Sequence, residues 1–115
     1  MMLTSTTIFV PHTERELLEF LDSEGSRSIV VSGATDLLPR ILRGLEKPRI
    51  LVDMSRLREL RYVRREDALF RIGALTTVED LSRSAVLGFE YEAFRKLSFI
   101  FGSPPVRNLA TVGGN

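Results

Sequence analysis

A chain of 115 residues, 43% hydrophobic and 27% charged, has the make-up of one globular domain or a piece of one, with enough length for its own core. It holds no cysteine, which excludes disulfides, thiolate metal sites, iron–sulfur ligation and cysteine nucleophiles within it. The formal net charge is +1, too small for a broad pull toward nucleic acid or a membrane surface. No apolar run reaches spanning length and no basic-then-apolar leader opens the chain, so a soluble cytoplasmic protein is expected.

In chain order, "TIFVPHTERELLEFLDSEG" from Thr7 predicts a strand, a turn and a helix. Thr13 and Glu16 have the spacing of a capping box, Leu17, Leu18 and Leu21 make the predicted buried face, and Gly25 is the stop. The β-branched run Ile29–Val31 predicts a buried strand. "TDLLPRILRGLEKP" then predicts a helix with Leu37, Leu38, Ile41, Leu42 and Leu45 on one face and Pro39 in its first turn. "RILVDM" supplies a third strand. This alternation is that of a parallel sheet with right-handed crossovers.

Beyond about Asp53 the pattern changes. "ELRYVRREDALFRIGA" predicts an antiparallel hairpin that turns at "RRED", with Leu60, Tyr62 or Val63, Leu69 and Ile72 inward and arginines outward. "TTVEDLSRS" is a short helix capped by Thr77, and "EYEAFRKLSFIF" is a further helix ending before Gly102. The predicted fold is therefore mixed: a small parallel β-α-β-α-β unit over residues 1–55, then the start of an antiparallel α+β subdomain over 56–115.

Fourteen of the sixteen basic residues are arginine, and six of these (Arg56, Arg58, Arg61, Arg64, Arg65, Arg71) cluster. With Asp53, Glu59, Glu66 and Asp67 beside them and no aromatics interleaved for base stacking, they are expected to form a solvated face. His12 has no partners at metal or catalytic spacing. Asp53 is expected to cap a turn, Asp36 to sit in a helix's first turn, and Tyr62 and Tyr91 to pack. No acid–base pair, triad or metal set is present, so no catalytic residue is assigned.

Two loops carry the functional signal. "SGATD", Ser32–Asp36, lies between a buried strand and a helix start, where free amides favour an anion; Gly33 is expected to make the tight turn and Thr35 to add a hydroxyl. It matches neither G-x-x-x-x-G-K-[ST] nor G-x-G-x-x-G. In "PPVRNLATVGGN" two prolines stiffen the entry, Arg107 and Asn108 supply a charge and an amide, and Thr111, Gly113 and Gly114 are expected to offer a hydroxyl and bare backbone amides. Together two such loops have the donors to clamp a pyrophosphate.

The ordered segments "VVSGATDLLPRIL", "LVDMSRLREL", "RIGALTTVEDL" and "FGSPPVRNLATVGGN" resemble the PCMH-type FAD-binding domain of the molybdenum hydroxylase flavoproteins. That family includes the medium subunit of carbon monoxide dehydrogenase and the flavin domain of xanthine dehydrogenase. The resemblance implies FAD as cofactor. Ser32, Gly33, Ala34, Thr35, Asp36 and Leu37 would form one diphosphate loop and Thr111, Gly113, Gly114 and Asn115 the other. Phe101 and Gly102 would lie near the flavin, with Ala74, Thr76 and Thr77 close by. It also implies an iron–sulfur small subunit and a molybdenum-cofactor large subunit as partners, with electrons relayed through FAD to an external acceptor.

Two departures stand out. The family commonly carries two glycines where this chain has Gly33–Ala34; if residue 34 needs a positive φ, alanine costs about 1 kcal/mol there. The family's domain also continues past this segment, as a fragment or split gene would explain. The alternative is a half-domain that binds no flavin alone and serves as an assembly surface, with an unpaired sheet edge favouring homodimers.

Overall fold

A computed structural model describes residues 5–114, except the side chains of Phe89, Leu97 and Ser98. The first unit ends at Leu57. In it, β1 (Thr7–Phe9), β2 (Ser28–Val31) and β3 (Ile50–Asp53) form a parallel sheet in the order β1-β3-β2. The central strand pairs Leu51 with both Ile8 and Ile29, and its Val52 is fully buried. Burying such a side chain contributes about 1.5–3 kcal/mol, so the middle strand anchors both neighbours. The predicted α/β alternation is borne out.

Helix α1 spans Glu14–Glu24. The Thr13 hydroxyl accepts from the Glu16 amide at 3.1 Å, while the Glu16 carboxylate accepts from the His12 amide at 2.8 Å. The predicted reciprocal cap thus forms one residue earlier on its return arm. Leu17 is buried, and Phe20 stacks on Phe9 of β1 with ring centroids 3.9 Å apart. Leu18, predicted to share that face, is 59% exposed; a step of one residue swings it off the stripe, and Phe20 takes its place.

Helix α2 (Leu37–Leu42) is shorter than its apolar pattern suggested. Gly44 takes a left-handed φ of 74°, its amide donates to Ile41, and the Leu45 amide donates to Arg40, each at 2.9 Å. This Schellman pattern closes the helix. Ile41 is buried, whereas Leu38, Leu42 and Leu45 are exposed, a correction to the single inward face predicted for all five apolar residues. Asp53 accepts from the Ser55 amide at 2.9 Å, the turn-capping role expected of it.

The second unit begins at Arg58. Here β4 (Val63–Glu66) and β5 (Leu69–Ile72) form an antiparallel hairpin, with Arg65 opposite Phe70. The turn is Asp67–Ala68 rather than "RRED", and Asp67 has a left-handed φ of 53°. That shift sets the register: Phe70 and Ile72 are half-buried while Leu69, predicted inward, is exposed, because residues three apart on a strand face opposite ways. Arg64 lies 4.5 Å over the Tyr62 ring, Arg65 lies 5.7 Å over Phe70, and Arg71 pairs with Glu66 at 2.6 Å. The arginine cluster is a solvated face with local partners.

Helix α3 (Val78–Arg83) starts at the predicted cap: the Thr77 hydroxyl accepts from the Asp80 amide and the Asp80 carboxylate from the Thr77 amide, each at 3.0 Å. Helix α4 (Glu92–Ile100) follows a short 3-10 turn in which Tyr91 packs edge-on to Phe70, centroids 4.8 Å apart. Residues Pro104–Leu109, read from sequence only as a stiff entry, form α5 with proline in its first turn, where a missing N–H is harmless. Leu75, Val78, Leu81, Leu87 and Ala110 make this unit's core.

A β-carbon on Gly73 would sit 2.1 Å from the Leu60 carbonyl oxygen, so Gly73→Ala should cost more than about 3 kcal/mol in urea unfolding. Arg61 donates to both oxygens of Asp80, at 2.7 and 2.8 Å. That bond, helped by the Thr77 cap and opposed by partial burial, holds the Asp80 carboxyl below its usual range. A lowered folded-state value means the stabilisation is complete above about pH 4 and disappears as pH falls through the lower value. Asp80→Asn should therefore cost a few tenths to about 1 kcal/mol at pH 7, with the difference from wild type vanishing in acid melts.

Candidate functional site

The first loop leaves β2 at Val31 and enters α2 at Leu37. Ser32, Gly33, Ala34 and Thr35 are half-buried. Among the described residues, no hydrogen bond runs from the amides of Gly33, Ala34, Thr35 or Asp36. Asp36 stands at the helix cap in a right-handed conformation (φ −102°, ψ −43°), and its carboxylate makes no capping bond. The helix start is thus left without the side-chain acceptor that usually serves it.

Residue 34 is where the chain turns left-handed. Ala34 has a φ of 57°, while Gly33 stays outside that region. The tight turn predicted at Gly33 is therefore made by its neighbour, against the steric preference of an alanine. The Ala34 carbonyl accepts from the Leu38 amide at 3.1 Å, tying the turn to α2. Leu37, the last residue assigned to this loop, is half-buried as the first residue of that helix.

The second segment is held differently. The Val112 amide donates to Thr76 at 2.9 Å, Gly113 to Ala74 at 2.8 Å, and Gly114 to the Thr111 hydroxyl at 3.1 Å. With the Val78 amide on the Ala110 carbonyl and a bridge between Thr77 and Thr111, the two stretches form a short antiparallel ladder. The amides expected to be bare are engaged, which corrects that part of the sequence reading. A β-carbon on Gly113 would lie 2.9 Å from both the Ala74 oxygen and its β-carbon. The glycine is required by packing alone. Asn115 lies outside the described residues.

Of Ala74, Thr76 and Thr77, expected close to the flavin, the carbonyls of Ala74 and Thr76 accept from this segment's amides and Thr77 pairs with Thr111 across the ladder. The Thr76 hydroxyl is buried, donates to the Tyr62 carbonyl at 2.8 Å and accepts from the Tyr62 amide at 3.2 Å. It clasps the stem of the hairpin while its carbonyl holds Val112.

Phe101 is half-buried and Gly102 has a left-handed φ of 56°. A β-carbon on Gly102 would meet Val106 at 2.9 Å. Arg107, expected to supply a charge to a ligand, turns inward. Its Nη1 donates to the carbonyls of Phe101 and Gly102 at 3.4 and 3.1 Å, and its Nε to Glu79 at 3.3 Å. Both side chains of that ion pair are largely covered. The guanidinium clamps the turn that carries Phe101 and Gly102, a role no local spacing signals because Glu79 lies far upstream.

The donor chemistry of the first loop fits a diphosphate: four adjacent unengaged amides beside the Thr35 hydroxyl. The second segment fits by shape, since Gly113 and Gly114 are exposed and present main chain without side chains. No group of His, Asp or Glu among the described residues could hold a metal ion. No helix among them is long and apolar enough to cross a membrane.

The family described as "FAD binding domain in molybdopterin dehydrogenase" matches residues 4–115. The nicotinate dehydrogenase FAD-subunit of Eubacterium barkeri is 37% identical over 75% of this chain and 29% of its own length. The carbon monoxide dehydrogenase medium chain of Hydrogenophaga pseudoflava is 30% identical over 91% of this chain and 37% of its own. Among solved structures, carbon monoxide dehydrogenase from H. pseudoflava superposes with a TM-score of 0.89 at 29% identity, covering 99% of this chain and 40% of that one. The reconstituted enzyme from Oligotropha carboxidovorans gives a TM-score of 0.90 at 27% identity with the same coverage. The chain therefore spans about a third of the length of these curated relatives. A sequence match over nearly every residue and a fold match over the same span agree: the chain belongs to the FAD-binding domains of the molybdopterin dehydrogenases.

Proposed function

We propose that this chain forms part of the flavin site of a molybdenum hydroxylase-type dehydrogenase. The observation that carries the reading is the row of unengaged amides from Gly33 to Asp36. Amides held in a fixed, half-buried loop meet phosphate oxygens with little reorganisation, and a helix start favours the negative charge. Ser32 and Leu37 bound this loop on either side. Thr111, Gly113, Gly114 and Asn115 serve the diphosphate from the second segment, where absent side chains allow close approach. Phe101 and Gly102, set by the Arg107 clamp, lie toward the flavin ring.

The protein's part is to bind, orient and exclude water; none of its residues is assigned a proton or a covalent step. FAD, when bound, supplies the electron transfer between the iron–sulfur clusters of a partner subunit and an external acceptor. Those clusters belong to a small subunit, and a molybdenum-cofactor subunit acts on the substrate. Relatives whose names include nicotinate and carbon monoxide dehydrogenase support this setting.

A second reading is favoured by the engaged amides of Val112, Gly113 and Gly114: a half-domain that holds no flavin alone and acts as an assembly surface. FAD titration separates the two. Under the first reading FAD quenches in fluorescence on binding and raises the melting temperature, since a ligand at 100 times its Kd stabilises the native state by about 2.7 kcal/mol. Gly33→Asp, which places a carboxylate among the loop amides, should abolish both responses while leaving the unliganded melting temperature within a few degrees. A chain whose melting temperature ignores millimolar FAD would contradict the first reading and leave the second.

A further inference from the structure

We propose that Glu79 is a positioning residue for the flavin side of the site: through Arg107 it fixes the turn that carries Phe101 and Gly102, and so sets the surroundings of the flavin ring without touching it. The inference rests on the reading that this turn lies toward the flavin. Glu79 is the second residue of α3, and the cap of that helix is made by Thr77 and Asp80, so its carboxylate is not needed there. One oxygen accepts from Arg83 at 2.6 Å and the other from Arg107 at 3.3 Å. The Arg83 side chain is 81% exposed and that of Arg107 14%. An exposed pair one helical turn apart contributes little, so the covered bond is the one that matters. A covered guanidinium left without its carboxylate is driven toward water.

The Nη1 of Arg107 goes to one place, the carbonyls of Phe101 and Gly102 at 3.4 and 3.1 Å. These follow the end of α4 at Ile100, where any cation is favourable. A helix cap of that kind requires charge alone. The fork requires direction as well, since one planar group joins a carboxylate on α3 to two carbonyls beyond α4. Gly102 is left-handed and packs so close to Val106 that a β-carbon would lie 2.9 Å away, which leaves the turn little room once the guanidinium holds it. Without the ion pair α3 and α5 stay joined, because the Val78 amide donates to Ala110 at 2.9 Å and Thr77 bridges Thr111. Loss of the Glu79 charge therefore loosens the turn and leaves the unit folded.

The test compares Glu79→Gln, Arg107→Met and the double variant in the full chain, by amide NMR of the unliganded protein and by fluorescence titration and visible circular dichroism of added FAD. Each single variant is expected to shift the Phe101 and Gly102 amide resonances, to alter the dichroism of the bound flavin and to weaken FAD binding a few-fold. The double variant should match Arg107→Met, because a residue that acts through another has no further effect once that other is gone. If Arg107→Met does not fold, Glu79→Gln and Arg107→Lys carry the test. The lysine variant should then match Glu79→Gln, since a point charge lacks the fork. Glu79→Gln that changes only the melting temperature, or single effects that add in the double variant, overturns this inference and leaves the flavin reading intact. Displaced Phe101 and Gly102 resonances with unchanged flavin dichroism overturn it too, placing the turn away from the ring. A wild-type chain that binds no FAD overturns the flavin reading and this inference with it.

Discussion

Backbone amides removed from water need acceptors, and nearly all of them in folded proteins find one. Four consecutive amides from Gly33 to Asp36, in a loop half-buried through Thr35 and exposed at Asp36, donate to nothing among the described residues. Features of the first unit bound that loop on both sides. The buried β3 strand fixes the end of β2, the Schellman cap fixes the length of α2, and Ala34 turns left-handed between them. Donors left without a protein acceptor beside a left-handed alanine are what the proposed diphosphate site requires.

The second unit solves a different problem with similar residues. Its glycines let main chain pass against main chain: Gly113 against Ala74, and Gly73 against Leu60. The resulting ladder engages the amides of Val112 and Gly113 and seats Thr76 in the core, while the Thr111 hydroxyl takes the Gly114 amide. The glycines of the second unit thus serve close packing, whereas the first loop leaves its amides unengaged among the described residues. Arg107 belongs to the packing of the second unit, its charge neutralised by Glu79 and two carbonyls.

Local patterns made much of this legible before any coordinates. The β-α-β-α-β alternation, the caps at Thr13 and Thr77 and the hairpin all depend on residues within a few positions of one another. What stayed hidden depends on register or on distant partners. The inward face of β5 follows strict alternation from the turn at Asp67–Ala68, which puts Phe70 with Ile72 and leaves Leu69 on the other side. Helix α5 was overlooked because paired prolines suggest a rigid loop as readily as a first helical turn. The acceptors for the amides of Val112 and Gly113 lie at Thr76 and Ala74, and the partner of Arg107 at Glu79, so composition of the segment alone suggested free donors. The positive φ of residue 34 was visible only as a condition attached to the alanine that follows Gly33.

Amide hydrogen exchange followed by NMR, with and without FAD, tests the central claim most directly. The amides of Gly33, Ala34, Thr35 and Asp36 should exchange rapidly in the unliganded chain and become protected when FAD binds, while those of Val112 and Gly113 are slow from the outset. Bound FAD that leaves residues 33–36 exchanging as before, or protection of those four amides without any ligand, would contradict it.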